Sequence, residues 1–240
     1  MSRKSRGLKV LSLALLAVAG LMAFLAAGAQ ASEKSWLVLG ADIGANQEVE
    51  VSTHKEIILD VAEENELEIL CLNVAGDDVL LVAGTTTVTG TLLFTNCKIF
   101  QKKEEKAACN KKVNGLGKVE GLLEPIVASG KGKLILHPEK GKNYVLFEPT
   151  VAGGNFAQIK FDPPCALPET NNVKGSLVAE CLTSALVAAD CATQEIIHLL
   201  QANQTSLFEG DKLFYGTKAA ILLGVAKTEL SSKEPWCGHV

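Results

Sequence analysis

Turn-forming residues cut this chain into pieces too short for most helices. Glu56–Val61 stops at the polar run Glu63-Glu64-Asn65-Glu66, and Leu67–Val74 stops at Gly76-Asp77-Asp78. Val79–Ala83 ends at Gly84, and Thr85–Phe94 is rich in Thr and Val, which suit a pleated surface. Gly115, Gly117, Gly121 and Pro125 punctuate Val113–Ala128 and argue against helix there. Lys133–His137 and Tyr144–Glu148 read as a hairpin around Pro138–Lys142. After Gly153-Gly154-Asn155 comes Phe156–Phe161, whose alternation is imperfect because Phe156 falls on the polar face. Trp36–Leu39, Val173–Cys181, Lys212–Gly216, Ala219–Val225 and Lys227–Leu230 complete the set. Such spacing predicts an all-β fold, a sandwich or barrel of short antiparallel strands. Residues 185–201 lack Gly and Pro and remain open between helix and strand, with a lean to strand for Glu195–Leu200.

Ahead of these segments stands a different pattern. Arg3, Lys4, Arg6 and Lys9 precede an uncharged run from Val10 to Ala29, and Ala29-Gln30-Ala31 matches a small-residue cleavage site. This three-part design is that of a secretory signal peptide, residues 1–31, cut before Ser32. The alternative is an uncleaved anchor, since about twenty apolar residues suffice to span a bilayer. Cleavage leaves residues 32–240 as a β-rich secreted domain, or two β halves meeting near residue 130, and takes the formal net charge from −4 to −8. An acidic chain repels phosphate backbones, so nucleic acid is a poor partner. The expected location is secreted or cell-surface, with a partner in the medium or envelope.

Export puts the seven cysteines, Cys71, Cys97, Cys109, Cys165, Cys181, Cys191 and Cys237, in an oxidising compartment where most pair. Their odd number leaves one over, as a thiol or as a link to a second chain in a covalent dimer. Sequence does not fix the connectivity. Loop proximity suggests Cys97 with Cys109, across the charged stretch Lys98–Ala108 read as a hairpin loop, and Cys165 with Cys181. Cys71, Cys191 and Cys237 would then share one long-range bridge. Metal binding is not indicated: there is no C-x-x-C, and no His lies three to five residues from another.

Chemistry is equally thin elsewhere. There is no G-x-S-x-G, H-E-x-x-H or P-loop, and Asn114-Gly115-Leu116-Gly117-Lys118 lacks the second half of a phosphate loop. Asp77-Asp78 reads as a turn rather than a calcium site. Glu63, Glu64, Glu66 and Glu68 form a carboxylate cluster at a solvated strand end. His54, His137, His198 and His239 lack a recognisable nucleophile partner, and His198, among Ile196, Ile197, Leu199 and Leu200, reads as a structural histidine. A sugar-binding surface built on Trp36, Trp236, Tyr144 and Tyr215 is disfavoured by their scarcity. No catalytic residue, metal ligand or cofactor is assigned.

The segment Gly132-Lys-Leu-Ile-Leu-His-Pro-Glu-Lys-Gly-Lys-Asn-Tyr-Val-Leu-Phe-Glu-Pro149, followed by Phe156–Phe161 and by Cys165 through Val173-Lys174-Gly175-Ser176 to Cys181, resembles a group of exported, cysteine-containing β-rich proteins of soil actinobacteria. Cys71, Thr89-Gly90-Thr91-Leu92 and Thr95-Asn96-Cys97 add to that resemblance. It covers most of the mature chain and implies a secreted β-fold. It brings no catalytic residue, and Cys191 and Cys237 fall outside the motifs that carry it. The expected role is a non-enzymatic binding or interaction module. A structural envelope component is the alternative, and a hydrolase acting on a polymer a more distant one.

Overall fold

The structure is a computed structural model that describes residues 35–61, 66–112, 119–122, 124–137, 142–161, 163–182, 191–203 and 212–239. The signal peptide and its cleavage site therefore lie outside the described residues, as do Asn114–Lys118 and all of 185–190.

In chain order the strands are β1 (Ser35–Val38), β2 (Ala41–Asp42), β3 (Gln47–Val61), β4 (Leu67–Leu81), β5 (Thr87–Gln101) and β6 (Glu104–Glu105). Then come β7 (Lys111–Lys112), β8 (Val119–Gly121), β9 (Ile126–His137), β10 (Lys142–Pro149), β11 (Asn155–Lys160) and β12 (Thr170–Gly175). The last six are β13 (Leu177–Cys181), β14 (Glu195–Ala202), β15 (Leu213–Tyr215), β16 (Lys218–Ala219), β17 (Ile221–Leu230) and β18 (Trp236–His239). Among the described residues there is no helix, and hence none long and apolar enough to cross a membrane. Every strand pairing among the described residues is antiparallel. The all-β expectation holds, and Glu195–Leu200 is strand.

Eight strands close into a barrel in the order β9-β10-β13-β14-β17-β3-β4-β5, sealed where β5 pairs back onto β9 from Thr87↔Lys133 to Phe94↔Ile126. A branch leaves the same β9. Its outer edge passes from β10, last paired at Gly130↔Pro149, to β11, paired at Ala128↔Ala157. From β11 the branch continues through β12, β15 and β16. Only Ala220 separates β16 from β17, so the branch returns to a barrel strand. Asn203 fixes this return by donating its amide to the Leu213 and Ala220 carbonyls, both at 2.7 Å. With the barrel strands β9, β5, β4, β3 and β17 the branch outlines a second ring, closed not by strand pairing but by the chain itself at Ala220 and by Asn203, and the described residues form one compact unit.

This sharing explains strand lengths that the sequence did not suggest. β3, β4 and β5 are each fifteen residues long. At about 3.3 Å per residue that spans two barrel bodies end to end. Gly76-Asp77-Asp78 is therefore no turn: β4 runs through it with a bulge between Asp77 and Leu80, and Asp78 takes φ of +50°. At the waist between the rings, a Cβ on Gly224 would lie 2.4 Å from the Ile57 side chain. Similarly, Ala219–Val225 and Lys227–Leu230 merge into β17, whereas Val173–Cys181 divides at Ser176, where the chain passes from one ring to the other.

Two apolar cores result. One fills the ring containing β10, β13 and β14 and includes Trp36, Leu81, Leu134, Val145 and Leu230. The other fills the ring containing β11, β12 and β15 and includes Ile57, Ile69, Phe94, Ile159 and Leu222. Phe156, expected on a polar face, is buried in the second core because a register shift between Asn155 and Ala157 turns it inward.

Candidate functional site

The cysteines pair as Cys71–Cys97, Cys109–Cys165 and Cys191–Cys237, while Cys181 belongs to none of these bridges. Both pairings expected from loop proximity are overturned. Cys97 does not reach Cys109 because β5 runs on to Gln101 and holds Cys97 directly opposite Cys71 on β4. The hairpin turn is only Lys102-Lys103, both at positive φ, as a tight two-residue turn requires. Asn110, buried behind the β5 edge, accepts from the Ile99 N–H at 2.8 Å and donates to its carbonyl at 3.1 Å. That amide substitutes for a strand neighbour, and Cys109 bridges to Cys165 at the end of the second ring. Cys165 therefore does not pair with Cys181, which stands on β13 in the other ring.

Within the first ring lies an apolar cavity of about 90 Å³ walled by residues including Val51, Leu81, Phe147, His198 and Trp236. A lid of β18, β1 and β2 closes its end, with Trp36 and Trp236 tilted against one another at 5.9 Å. Each indole is anchored, Trp36 Nε1 donating to the Thr87 carbonyl at 2.9 Å and Trp236 Nε1 to that of Gln194 at 3.1 Å. Cys191–Cys237 staples the outside of this lid beside Leu37. The second ring encloses a smaller apolar space of about 40 Å³.

Among the described residues His198 is the one titratable side chain on the first cavity wall. Its Nε2 shares a hydrogen bond with the Thr228 hydroxyl at 2.9 Å. Burial lowers its pKa to about 4, and the Ala179 backbone pulls it part of the way back, although Nδ1 has no partner in hydrogen-bonding geometry. His198 is thus neutral at pH 7 and holds β14 to β17 through the Thr228 hydroxyl, with no carboxylate beside the pair among the described residues of the cavity wall. His54 is exposed on β3, and His137 and His239 end β9 and β18. The four histidines do not converge.

The carboxylates form no closer group among the described residues. Glu63 and Glu64 lie outside the described residues, Glu66 is exposed, and Glu68 is half-buried on β4. Asp77 and Asp78 belong to the β4 bulge. No three His, Cys, Asp or Glu side chains among the described residues group as a metal site. Glu50, Glu195, Glu229, Lys227 and Lys233 form an ion-pair chain on one side of the barrel, from Lys227–Glu195 at 2.9 Å to Lys233–Glu50 at 2.7 Å. At such exposure these pairs contribute little. The four aromatics considered as platforms do not form one: Trp36, Trp236 and Tyr144 are buried, and Tyr215 is half-buried, its phenol raised above the usual range by desolvation.

Sequence reasoning passed over the outer seam where the rings part. There β10 leaves β9, the 150–154 loop crosses to β11, and β12 crosses back to β13 at Ser176. These crossings leave a surface cleft of about 610 Å³. Lys131 and Glu148 face each other across β9 and β10 on one wall. On the other, Lys174 and Phe214 are cross-strand neighbours on β12 and β15. Lys212 stands where β15 begins, its carbonyl accepting from the Ser176 N–H at 2.9 Å. Gly175 makes this approach feasible: its φ is +102°, and a Cβ there would lie 1.8 Å from the Lys212 carbonyl oxygen. The floor is the 150–154 loop, closed by the Gly154 N–H on the Val151 carbonyl at 2.8 Å. Lys131, Lys174 and Lys212 are exposed, and none has a carboxylate within 4 Å among the described residues. The only sequence signal for this cleft was Gly153-Gly154 and Lys174-Gly175-Ser176, two short breaks 21 residues apart that only the topology brings together. No protein family, curated protein or solved structure matches the chain.

Proposed function

We propose that this is an exported, non-enzymatic binding module that works outside the cell or at its surface. The observation that carries the reading is the seam cleft: a surface concavity with apolar walls and three lysines, on a scaffold whose two interior spaces are lined almost wholly by apolar side chains. Concave, largely apolar sites with a few placed polar groups are the usual form of a binding pocket. Among the described residues a single carboxylate, Glu148, lines the cleft, whereas hydrolysis of a sugar polymer calls for a pair. Three intramolecular disulfides are compatible with an oxidising location, and the resemblance to exported actinobacterial β proteins points the same way.

The test has two parts. Protein recovered outside the producing cell should have a mass beginning at Ser32, with six further thiols open to alkylation after reduction. Immobilised mature protein should then retain a component of the medium or envelope without altering it. Chemical turnover of a polymer that disappears in Glu148→Gln would replace this reading with the hydrolase. Full-length, membrane-held protein with every thiol reactive would remove its extracellular premise.

A further inference from the structure

We infer that the ligand of the seam cleft is an amphiphilic organic acid, a carboxylate attached to an apolar body. This inference rests on the binding-module reading and names the class of molecule bound.

Three features of the cleft select that chemistry. The first is charge. Lys131, Lys174 and Lys212 come from three separate parts of the chain to one concavity, and none is neutralised by a carboxylate within 4 Å among the described residues. The chain as a whole is acidic, with a formal charge of −4. A locally cationic cleft on an acidic protein attracts an anion to that place rather than to the whole surface. Glu148 sits on the Lys131 wall only, so the anionic end belongs beside Lys174 and Lys212.

The second feature is the apolar surface between those charges. Pro149, Ala152 and Phe214 line the cleft, and Val151 in the same loop is 71% exposed. Phe214 is 37% exposed and stands in direct register with Lys174. An inorganic anion would use the lysines and leave this surface wet. A neutral apolar molecule would use the surface and leave the lysines unanswered. A molecule with both parts satisfies both, and the volume of about 610 Å³ suits a small organic ligand.

The third feature argues against a peptide strand. Binding by strand addition needs an open sheet edge. β12 is flanked by β11 and β15, and β9 carries β5 on one side and β10 then β11 on the other. β10 pairs with β9 along its whole length but with β13 only from Tyr144 to Phe147, so the cleft offers side chains, loop backbone and an edge of just two residues, Glu148 and Pro149, too short for strand addition.

The experiment is calorimetric titration of the mature protein with decanoate and with 2-naphthoate. Decanol, 2-naphthol and acetate supply the apolar body or the charge alone. The carboxylates should bind at least about tenfold more tightly than the alcohols, because each lysine contact is worth little but two or three act together. Acetate should show no measurable binding. Raising salt to 0.5 M should weaken the carboxylates and not the alcohols. In K174Q/K212Q the preference for carboxylate over alcohol should vanish, and in F214S both should weaken by about threefold or more. These exposed positions allow the variants to fold, which unchanged thermal unfolding would check.

Equal binding of acid and alcohol, or a preference surviving K174Q/K212Q, would overturn the inference. Carboxylate binding that quenches Trp36 and Trp236 but ignores the lysines would do so too, since it would place the ligand inside the first ring. Absence of carboxylate binding, while the immobilised protein still retains a different component, would overturn the ligand class and leave the binding module standing. An acidic peptide that competes as well as decanoate would equally remove the amphiphilic assignment.

Discussion

His198 shows how one buried side chain makes the whole barrel sensitive to acid. In the unfolded chain its pKa is the ordinary 6.5, and in the folded barrel burial lowers it to about 4. Below pH 6.5 the unfolded chain takes up a proton that the folded one refuses, so the stability carried by neutral His198 is complete above that pH. It is lost as the pH falls towards 4, by about 3 kcal/mol in all. Urea unfolding of the wild type and His198→Gln at pH 7 and pH 4.5 should show it. The gap between the two proteins should change by about 2–3 kcal/mol in favour of the variant at the lower pH. A constant gap would mean that the imidazole stays accessible to protons. Gly175 is the other residue whose identity is dictated by geometry. Gly175→Ala combines a disfavoured φ with a clash against the Lys212 carbonyl, and should cost about 3 kcal/mol in denaturant unfolding. Nothing in the sequence distinguished this glycine from its neighbours, because the approaching backbone comes from residues 37 positions away.

At the level of strands and bridges, the sequence disclosed local geometry well and distant pairing poorly. The hairpin of β9 and β10 was legible because alternation and turn residues lie within a few positions of each other, whereas Glu195–Leu200, without such punctuation, gave only a lean to strand that the structure bears out. The disulfides were not, because Cys71 and Cys97 meet through register, and Cys109 and Cys165 meet through the course of two loops. The Asp77-Asp78 bulge misled for a related reason: two acids after a glycine look the same in a turn and in a strand carrying an extra residue. The lid is the element most exposed to a direct test. Removing its staple with Cys191→Ala and Cys237→Ala should cost about 2–4 kcal/mol. It should also accelerate hydrogen exchange at the Trp36 and Trp236 indoles before it affects the amides of β4. Equal protection across all of them would show that the lid and the barrel open as one.

For the molecule as a whole, the shared strands outweigh either ring taken singly. Five strands carry both cores, so loosening one ring withdraws partners from the other. The amides of Val145 in the first ring and Ile159 in the second should therefore exchange with the same free energy at neutral pH, and both should match the global value from denaturant. Different values would show rings that melt separately. All-β character was legible at this scale, but the double closure was not. It depends on β9 having neighbours that change along its length, and no periodicity records which strand lies beside which.

The position of β17 in the chain has a temporal consequence. It contributes residues 221–230, yet it is the partner of β3, which begins at residue 47. Neither ring can close until that late segment has been delivered. A chain entering its final compartment from the N-terminal end would remain an open sheet with unpaired edges through most of its passage, and would lock only as the last stretch arrives. Binding competence would then begin abruptly, and a copy interrupted before residue 221 would expose edges suited to aggregation and to disposal.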